Sequence, residues 1–213
     1  MGFYDECRGP VFRPGGYALT RHAVNFCNFP KGAVLADVGC GTGDVMRQLR
    51  DDYGFSIIGI EPSEAMSGGA GDIIAADAEN TTLPALSCDG VLCECVLSLC
   101  PDFIAALSEM NRILKDGGYL IVSDVCAKIA DEVFVGGSLG YLRSIENILK
   151  RFAVAGFKTE LMEDRTDDMI TKVGELIMAG KGSTLYENYK DLKQYKCGYF
   201  LLIAKKCNDR GEQ

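Results

Sequence analysis

The segment Val34-Leu-Ala-Asp37-Val-Gly39-Cys40-Gly41-Thr-Gly43-Asp44 decides how this chain folds. A run with strand character, ending at Val38, meets three glycines at alternate positions and then a helix-forming stretch. Glycine has no Cβ, so the chain turns tightly and another group can approach the backbone closely. Amides at the start of the following helix then point into the crevice at the carboxyl end of the strand, where open α/β sheets bind ligands. Dinucleotide-binding chains prefer a third glycine three places after the second. Here Asp44 occupies that place and Gly43 comes one residue earlier. An anionic Asp37 also suits a positively charged ligand better than a pyrophosphate.

Outward from this segment, strand-like and helix-like stretches alternate, which predicts an α/β fold with a mostly parallel sheet. A helix is expected over residues 43–52, with Val45, Met46 and Leu49 on one face. Strands are expected over 34–38, 56–60, 72–75 and 90–96, the last apolar enough to be buried on both faces. A helix over 103–114 repeats apolar residues at Ile104, Leu107, Met110 and Ile113, and Asp116-Gly117-Gly118 turns the chain into a fifth strand over 119–125. A helix over 142–155, a strand over 157–162 and a last strand over 199–204 complete the pattern.

Two stretches lie outside this alternation. Residues 1–30 carry Arg13-Pro-Gly-Gly16 ahead of an amphipathic helix over 17–26. Residues 163–197 carry helical patterns at Met169, Val173, Leu176, Ile177 and at Leu185, Tyr189, Leu192. Insertions of this kind commonly serve as lids, binding elements or interfaces. No internal repeat is visible, and residues 1–213 read as a single domain.

Composition narrows the function classes. With 47% hydrophobic and 24% charged residues, the chain has an ordinary globular make-up. No apolar run reaches the roughly 18 residues of a membrane helix. Residues 1–12 lack the basic start and apolar core of a secretory signal, so the cytoplasm is the expected location. A net charge of −8 repels phosphate backbones, and Lys205-Lys206 is the only dense cationic cluster, so a nucleic-acid partner is disfavoured. Of the ten cysteines, Cys93, Cys95, Cys100 and Cys126 sit in or beside apolar runs and read as small hydrophobes in a reducing compartment. With one histidine and no C-x-x-C pair, no metal site is read.

Taken together, the motifs resemble those of a class I S-adenosylmethionine-dependent methyltransferase. Gly39, Gly41 and Gly43 behind Asp37 match its glycine motif, with Cys40 as a small residue that fits inside it. Glu61-Pro62 closes the second strand, and the resemblance implies that Glu61 accepts from both ribose hydroxyls, a task suited to a carboxylate. It also implies that Asp77 in Asp77-Ala78-Glu79 accepts from the adenine amine while the Ala78 N–H serves the ring. Cys93-Glu94-Cys95-Val-Leu-Ser98 matches the end of the fourth strand, where backbone carbonyls would hold the methionine end and Ser98 would lie near the methyl group. Leu114-Lys-Asp-Gly117-Gly118 resembles the turn before the fifth strand.

The segment Arg13-Pro-Gly-Gly16 is similar to that of the small-molecule branch, including enzymes of quinone biosynthesis and arsenite methylation, and would lay Gly16 and Tyr17 over the cofactor. The implied fold is a Rossmann-like three-layer sandwich. Its seven-stranded sheet is mostly parallel, and its last strand runs antiparallel.

Methyl transfer from a sulfonium is an in-line displacement with a neutral leaving group and S-adenosylhomocysteine as product. Much of its catalysis can come from alignment and exclusion of water. A base is needed only if the acceptor must lose a proton, and His22, Glu94 and Asp124 are the candidates. Cys93, Cys95 and Cys126 lie near strand ends and would suit a soft metalloid acceptor. Three readings fit: an enzyme methylating a small molecule, one methylating protein or RNA, and a non-catalytic S-adenosylmethionine-binding protein. The acceptor and the oligomeric state, a homodimer among the choices, stay open.

Overall fold

Only Val34 of β1 (Val34–Val38) is partly exposed, because helices cover the strand on both faces. In the computed structural model, which describes residues 13–68, 71–136, 139–178 and 193–207, β1 lies between β2 (Ser56–Ile60) and β4 (Cys88–Glu94), parallel to both. β3 (Ile73–Ile74) extends the sheet past β2, and β5 (Leu114–Cys126) lies beyond β4. β9 (Gly198–Lys206) enters between β5 and β8 (Phe157–Asp164), antiparallel to each. The order of the seven-stranded sheet is therefore β3-β2-β1-β4-β5-β9-β8.

Strand alternation sorts the core into two layers. Ala36, Val38, Val91, Cys93, Leu202 and Ala204 join the apolar side of α4 (Phe103–Ile113) and α5 (Ile145–Val154). Leu35, Leu92, Leu201 and Ile203 join that of α1 (Gly16–Cys27) and α2 (Asp44–Tyr53). The expected three-layer sandwich and the antiparallel last strand are both observed. A short α3 (Glu64–Ser67) follows β2.

Three expectations are corrected. The helix expected over 142–155 begins at Ile145, because the Ser144 hydroxyl accepts from the Asn147 amide at 3.1 Å and caps it there. Leu142 belongs instead to an antiparallel hairpin, β6 (Glu132–Gly136) with β7 (Gly140–Arg143). Its strands are too short to give a periodic signal. Second, Asp116-Gly117-Gly118 does not precede β5 but bulges within it. The register jumps from Cys88 opposite Leu114 to Gly90 opposite Tyr119.

Third, β8 continues to Asp164, so the insertion starts later than expected, with α6 (Thr166–Met178) carrying its first helical pattern. The pattern at Leu185, Tyr189 and Leu192, like residues 1–12, lies outside the described residues.

Because α4 runs straight into β5, its last carbonyls have no following turn to satisfy them. Lys206 of β9 does so: its ammonium donates to Asn111 O at 2.8 Å and Leu114 O at 2.9 Å from a buried position. Replacement of Lys206 by Met strands both carbonyls, and is expected to lower the unfolding free energy by about 1–3 kcal/mol. Urea denaturation checks this, and an unchanged midpoint would show that water caps the helix equally well.

Candidate cofactor site

The carboxyl edge of the sheet is organised by the glycine turn. The amides of Gly39 and Cys40 both donate to Ile60 O, at 2.7 and 3.2 Å, which ties the turn to the end of β2. Gly39 has φ 74°, and a Cβ there would lie 2.2 Å from Val96 Cγ2, so only glycine fits beneath the loop that follows β4. Gly43 caps α2 in the left-handed region with no side-chain cap, so no side chain takes the first-turn amides. Cys40 packs its thiol over Gly59 of β2, and burial pushes that thiol's pKa up.

Glu61 stands at the end of β2, buried. One carboxylate oxygen accepts from Gly41 N at 3.0 Å and the other from Ser63 N at 3.0 Å. The two amides fix its direction, and each oxygen keeps a further lone pair. Pro62 beside it is exposed. Asp77, Ala78 and Glu79 follow β3, with Asp77 exposed, Ala78 buried and the turn closed by Asn80 N on Asp77 O at 3.1 Å. Asp37, near the end of β1, is buried, and among the described residues no hydrogen bond reaches its carboxylate. Burial pushes its pKa up to about 7; Arg13 opposes the rise and Glu61 adds to it.

The other two acids at this edge are fully engaged. Glu94, the last residue of β4, is paired with Arg13 and accepts from the Thr20 hydroxyl at 3.3 Å. Asp124 accepts from Ser98 N at 2.8 Å and Val125 N at 2.8 Å, holding the loop after β4 against β5. Burial raises its pKa. Ser98 O in turn accepts from Tyr141 N at 2.7 Å, and Gly140 lies so close that a Cβ would sit 2.2 Å from that oxygen. The hairpin is thereby clasped onto the loop. Beside this clasp, the Arg143 guanidinium lies 4.5 Å from the Phe103 ring centroid and 4.9 Å from that of Tyr141.

The thiols near the edge are held neutral. Cys95 adopts φ 59° and lies 3.0 Å from the Tyr199 hydroxyl, which donates to Ser123 Oγ at 3.0 Å. Burial pushes Cys95 up to about 12 and Cys126 up to about 11, and raises Cys93 as well. A metalloid needs thiolates, which this burial opposes.

Two sequence candidates are not brought into the cluster. His22 Nε2 lies 3.1 Å from Glu163 in an exposed pair. The Tyr17 hydroxyl donates to Asp52 at 2.9 Å, in the last turn of α2 and about 12 Å along the helix from its first residue. Gly16 opens α1, with its amide on Arg13 O at 3.1 Å.

Conversely, Arg13 was not singled out as a site residue, yet it is buried at the centre of the cluster, touching both Glu94 and the Thr20 hydroxyl. The available signal was Glu94 itself. A charged residue inside the apolar run of β4 demands a buried partner.

Residues 36–122 match a family described as a methyltransferase domain. A phosphoethanolamine N-methyltransferase of Triticum aestivum is 26% identical over 183 residues, covering 78% of this chain and 36% of that protein. A demethylmenaquinone methyltransferase of Bacillus licheniformis is 30% identical over 109 residues, 46% of this chain and 47% of that one. The chain thus spans between a third and a half of the length of these relatives.

Among solved structures, the cyclase SpnF superposes with a TM-score of 0.76 at 24% identity, covering 94% of this chain and 83% of that one. Phosphoethanolamine N-methyltransferase 2 of Haemonchus contortus, solved with phosphomonomethylethanolamine and S-adenosylhomocysteine, gives 0.76 at 16% identity over 97% of this chain and 56% of that one. Residues 36–122 therefore match a methyltransferase domain, within a chain that has a Rossmann-like fold.

Proposed function

We propose that the chain binds S-adenosylmethionine at the carboxyl edge of β1, β2 and β4 and directs its methyl group to a small-molecule acceptor. One observation carries this reading: an uncapped helix start follows a glycine turn whose Gly41 amide, together with that of Ser63, fixes the direction of a carboxylate, Glu61. Glu61 suits the two ribose hydroxyls, Asp37 suits the ammonium, and the backbone at Asp77 and Ala78 suits the adenine edge. Bound there, the cofactor supplies an electrophilic methyl group on a sulfonium.

The chain's own residues hold and screen the reaction centre. Asp124 pins the loop carrying Ser98, and the hairpin clasped onto Ser98 closes one side of it. Glu94 is engaged by Arg13, Asp124 by two amides and His22 by Glu163, so we assign these three to positioning rather than proton transfer. Alignment and exclusion of water then supply the rate.

A small acceptor agrees with the net charge of −8, which opposes nucleic acid. It also agrees with relatives named for phosphoethanolamine and demethylmenaquinone. We place the reaction in the cytoplasm, since Cys27, Cys88, Cys93, Cys100 and Cys126 are buried free thiols. No helix among the described residues is long and apolar enough to cross a membrane. A neighbour named a cyclase means that transfer itself needs its own readout.

Calorimetric titration should give dissociation constants on the order of 1–100 μM for S-adenosylmethionine and S-adenosylhomocysteine, weakened at least roughly tenfold in Glu61→Ala. A folded wild-type protein that binds neither compound refutes the reading. Transfer of a labelled methyl group to members of an acceptor panel tests the chemistry.

The raised pKa of Asp37 makes a second prediction. Below about 7 its buried carboxyl is protonated and must lose that proton to pair with an ammonium. Affinity for S-adenosylmethionine should therefore rise between pH 5.5 and 7, by at most about tenfold per unit, and level off above. Asp37→Asn should bind weakly with a flat profile over that range. A sloping profile in the Asn variant would assign the titration to another group.

A further inference from the structure

Cys95 takes a backbone conformation that few cysteines adopt. Its φ is 59°, in the left-handed region where a Cβ crowds the following carbonyl. Such a conformation persists only where the surroundings impose it. It also reverses the side chain. Alternation along β4 would send Cys95 to the face of Cys93, which packs with α4 and α5. Instead Cys95 packs with Leu92, in the layer beneath α1 and α2.

The surroundings supply the restraint from two strands. Cys95 N donates to Ser123 O of β5 at 2.7 Å. Its thiol lies 3.0 Å from the Tyr199 hydroxyl of β9, and that hydroxyl donates to Ser123 Oγ at 3.0 Å. With the phenol proton committed to Ser123, the thiol donates to the phenol oxygen. Tyr199 is only 1% exposed, so its hydroxyl has no water to turn to. Its main chain is pinned where α6 begins: Tyr199 O accepts from Arg165 N at 2.7 Å, and Tyr199 N donates to Thr166 Oγ1 at 3.3 Å.

The residue after Cys95 covers the glycine turn. Val96 Cγ2 occupies the space that a Cβ at Gly39 would need. On the other side of Cys95, β4 is fixed between β1 and β5. Rotation about Cys95 therefore moves Val96 relative to Gly39 while β4 stays in place.

We propose that Tyr199 is a positioning residue: its hydroxyl holds Cys95 in the left-handed conformation that seats Val96 over the glycine turn and so shapes the crevice at the strand ends. The effect on ligand affinity rests on the cofactor reading above, whereas the hold on the loop does not. Because the start of α6 pins the same residue, the insertion bears on the crevice through this phenol.

Tyr199 has two rival roles. In one, its ring fills the core and the hydroxyl is idle. In the other, the hydroxyl acts on Arg13, which lies within its electrostatic reach. Tyr199→Phe keeps the ring and removes only the hydroxyl. Glycine bears no penalty at positive φ and has no thiol, so in a Cys95→Gly background the hydroxyl has nothing to hold. Wild type, the two single variants and the double variant form a cycle. Amide hydrogen exchange of the segment 95–100 is measured in the unliganded proteins, alongside calorimetric affinity for S-adenosylhomocysteine and urea midpoints. The amides of Ser98, Leu99 and Cys100 are hydrogen-bonded in place, so their exchange reports opening of the loop.

Tyr199→Phe is expected to speed that exchange and to weaken S-adenosylhomocysteine, each about fivefold. In the Cys95→Gly background the same substitution should change either readout by no more than about 1.5-fold. Should Cys95→Gly not fold, Cys95→Ala, which also lacks the thiol, replaces it under the same criterion. Unchanged exchange in Tyr199→Phe leaves the ring as core filling and overturns the proposal. Effects of equal size in both backgrounds route the hydroxyl through Arg13 instead and overturn it too, as does faster exchange with unaltered affinity. A wild-type protein that does not bind S-adenosylhomocysteine overturns the cofactor reading, and the exchange measurement then decides alone whether Tyr199 holds the loop.

Discussion

The carboxyl end of β1 is the point on which the rest of this structure depends. Two successive amides, of Gly39 and Cys40, share the Ile60 carbonyl, and the missing Cβ of Gly39 admits Val96 from above. Three parallel strands, β2, β1 and β4, thus meet through a single turn. The loop carrying Val96 is held in turn by Asp124, and its Ser98 carbonyl holds the hairpin. A disturbance at Gly39 therefore reaches both the crevice at the strand ends and the hairpin beyond it. Close packing makes such coupling mechanical, because the interior has little free volume to absorb a displacement.

At the same edge, three carboxylates besides Glu61 are buried and each is handled differently. Asp124 accepts two backbone amides, which favour its charged form against the desolvation that raises its pKa. Glu94 faces a guanidinium directly. Asp37 has only the field of Arg13 at a distance, and its pKa is lifted to about 7. The order of engagement is an order of availability. Two acids shape the protein, and the third is left for whatever enters the crevice.

Similar folds do not carry a single chemistry. The superposition spans nearly the whole chain both for a protein named a cyclase and for one named a methyltransferase. What the sheet supplies in common is a crevice at the reversal of strand order. What distinguishes one such protein from another lies in the additions over that crevice. To the sheet this chain adds α1 with Arg13, the hairpin β6–β7 and α6, which presents Ile170 and Ile177 to solvent.

By itself, the sequence determined the sheet, its central strand and the glycine turn. These rest on local signals: apolar runs of strand length, glycines at alternate positions, and helical spacing at Leu107, Met110 and Ile113. Observed bounds for β1 and β2 coincide with the expected ones, because each strand is closed by glycine or proline within two residues. The place of Glu61 at the end of β2 was legible for the same reason, while the role expected of it came from the resemblance.

Tertiary structure alone decided the hairpin, the bulge within β5, and the partners of the acids. A four-residue strand such as β7 has too little periodicity to stand out, and its place depends on a backbone bond to Ser98, distant in sequence. The pairing of Arg13 with Glu94 spans 81 residues of chain. Charge pairing has no sequence period. It is set by which strand ends the topology brings together, and only the folded sheet does that.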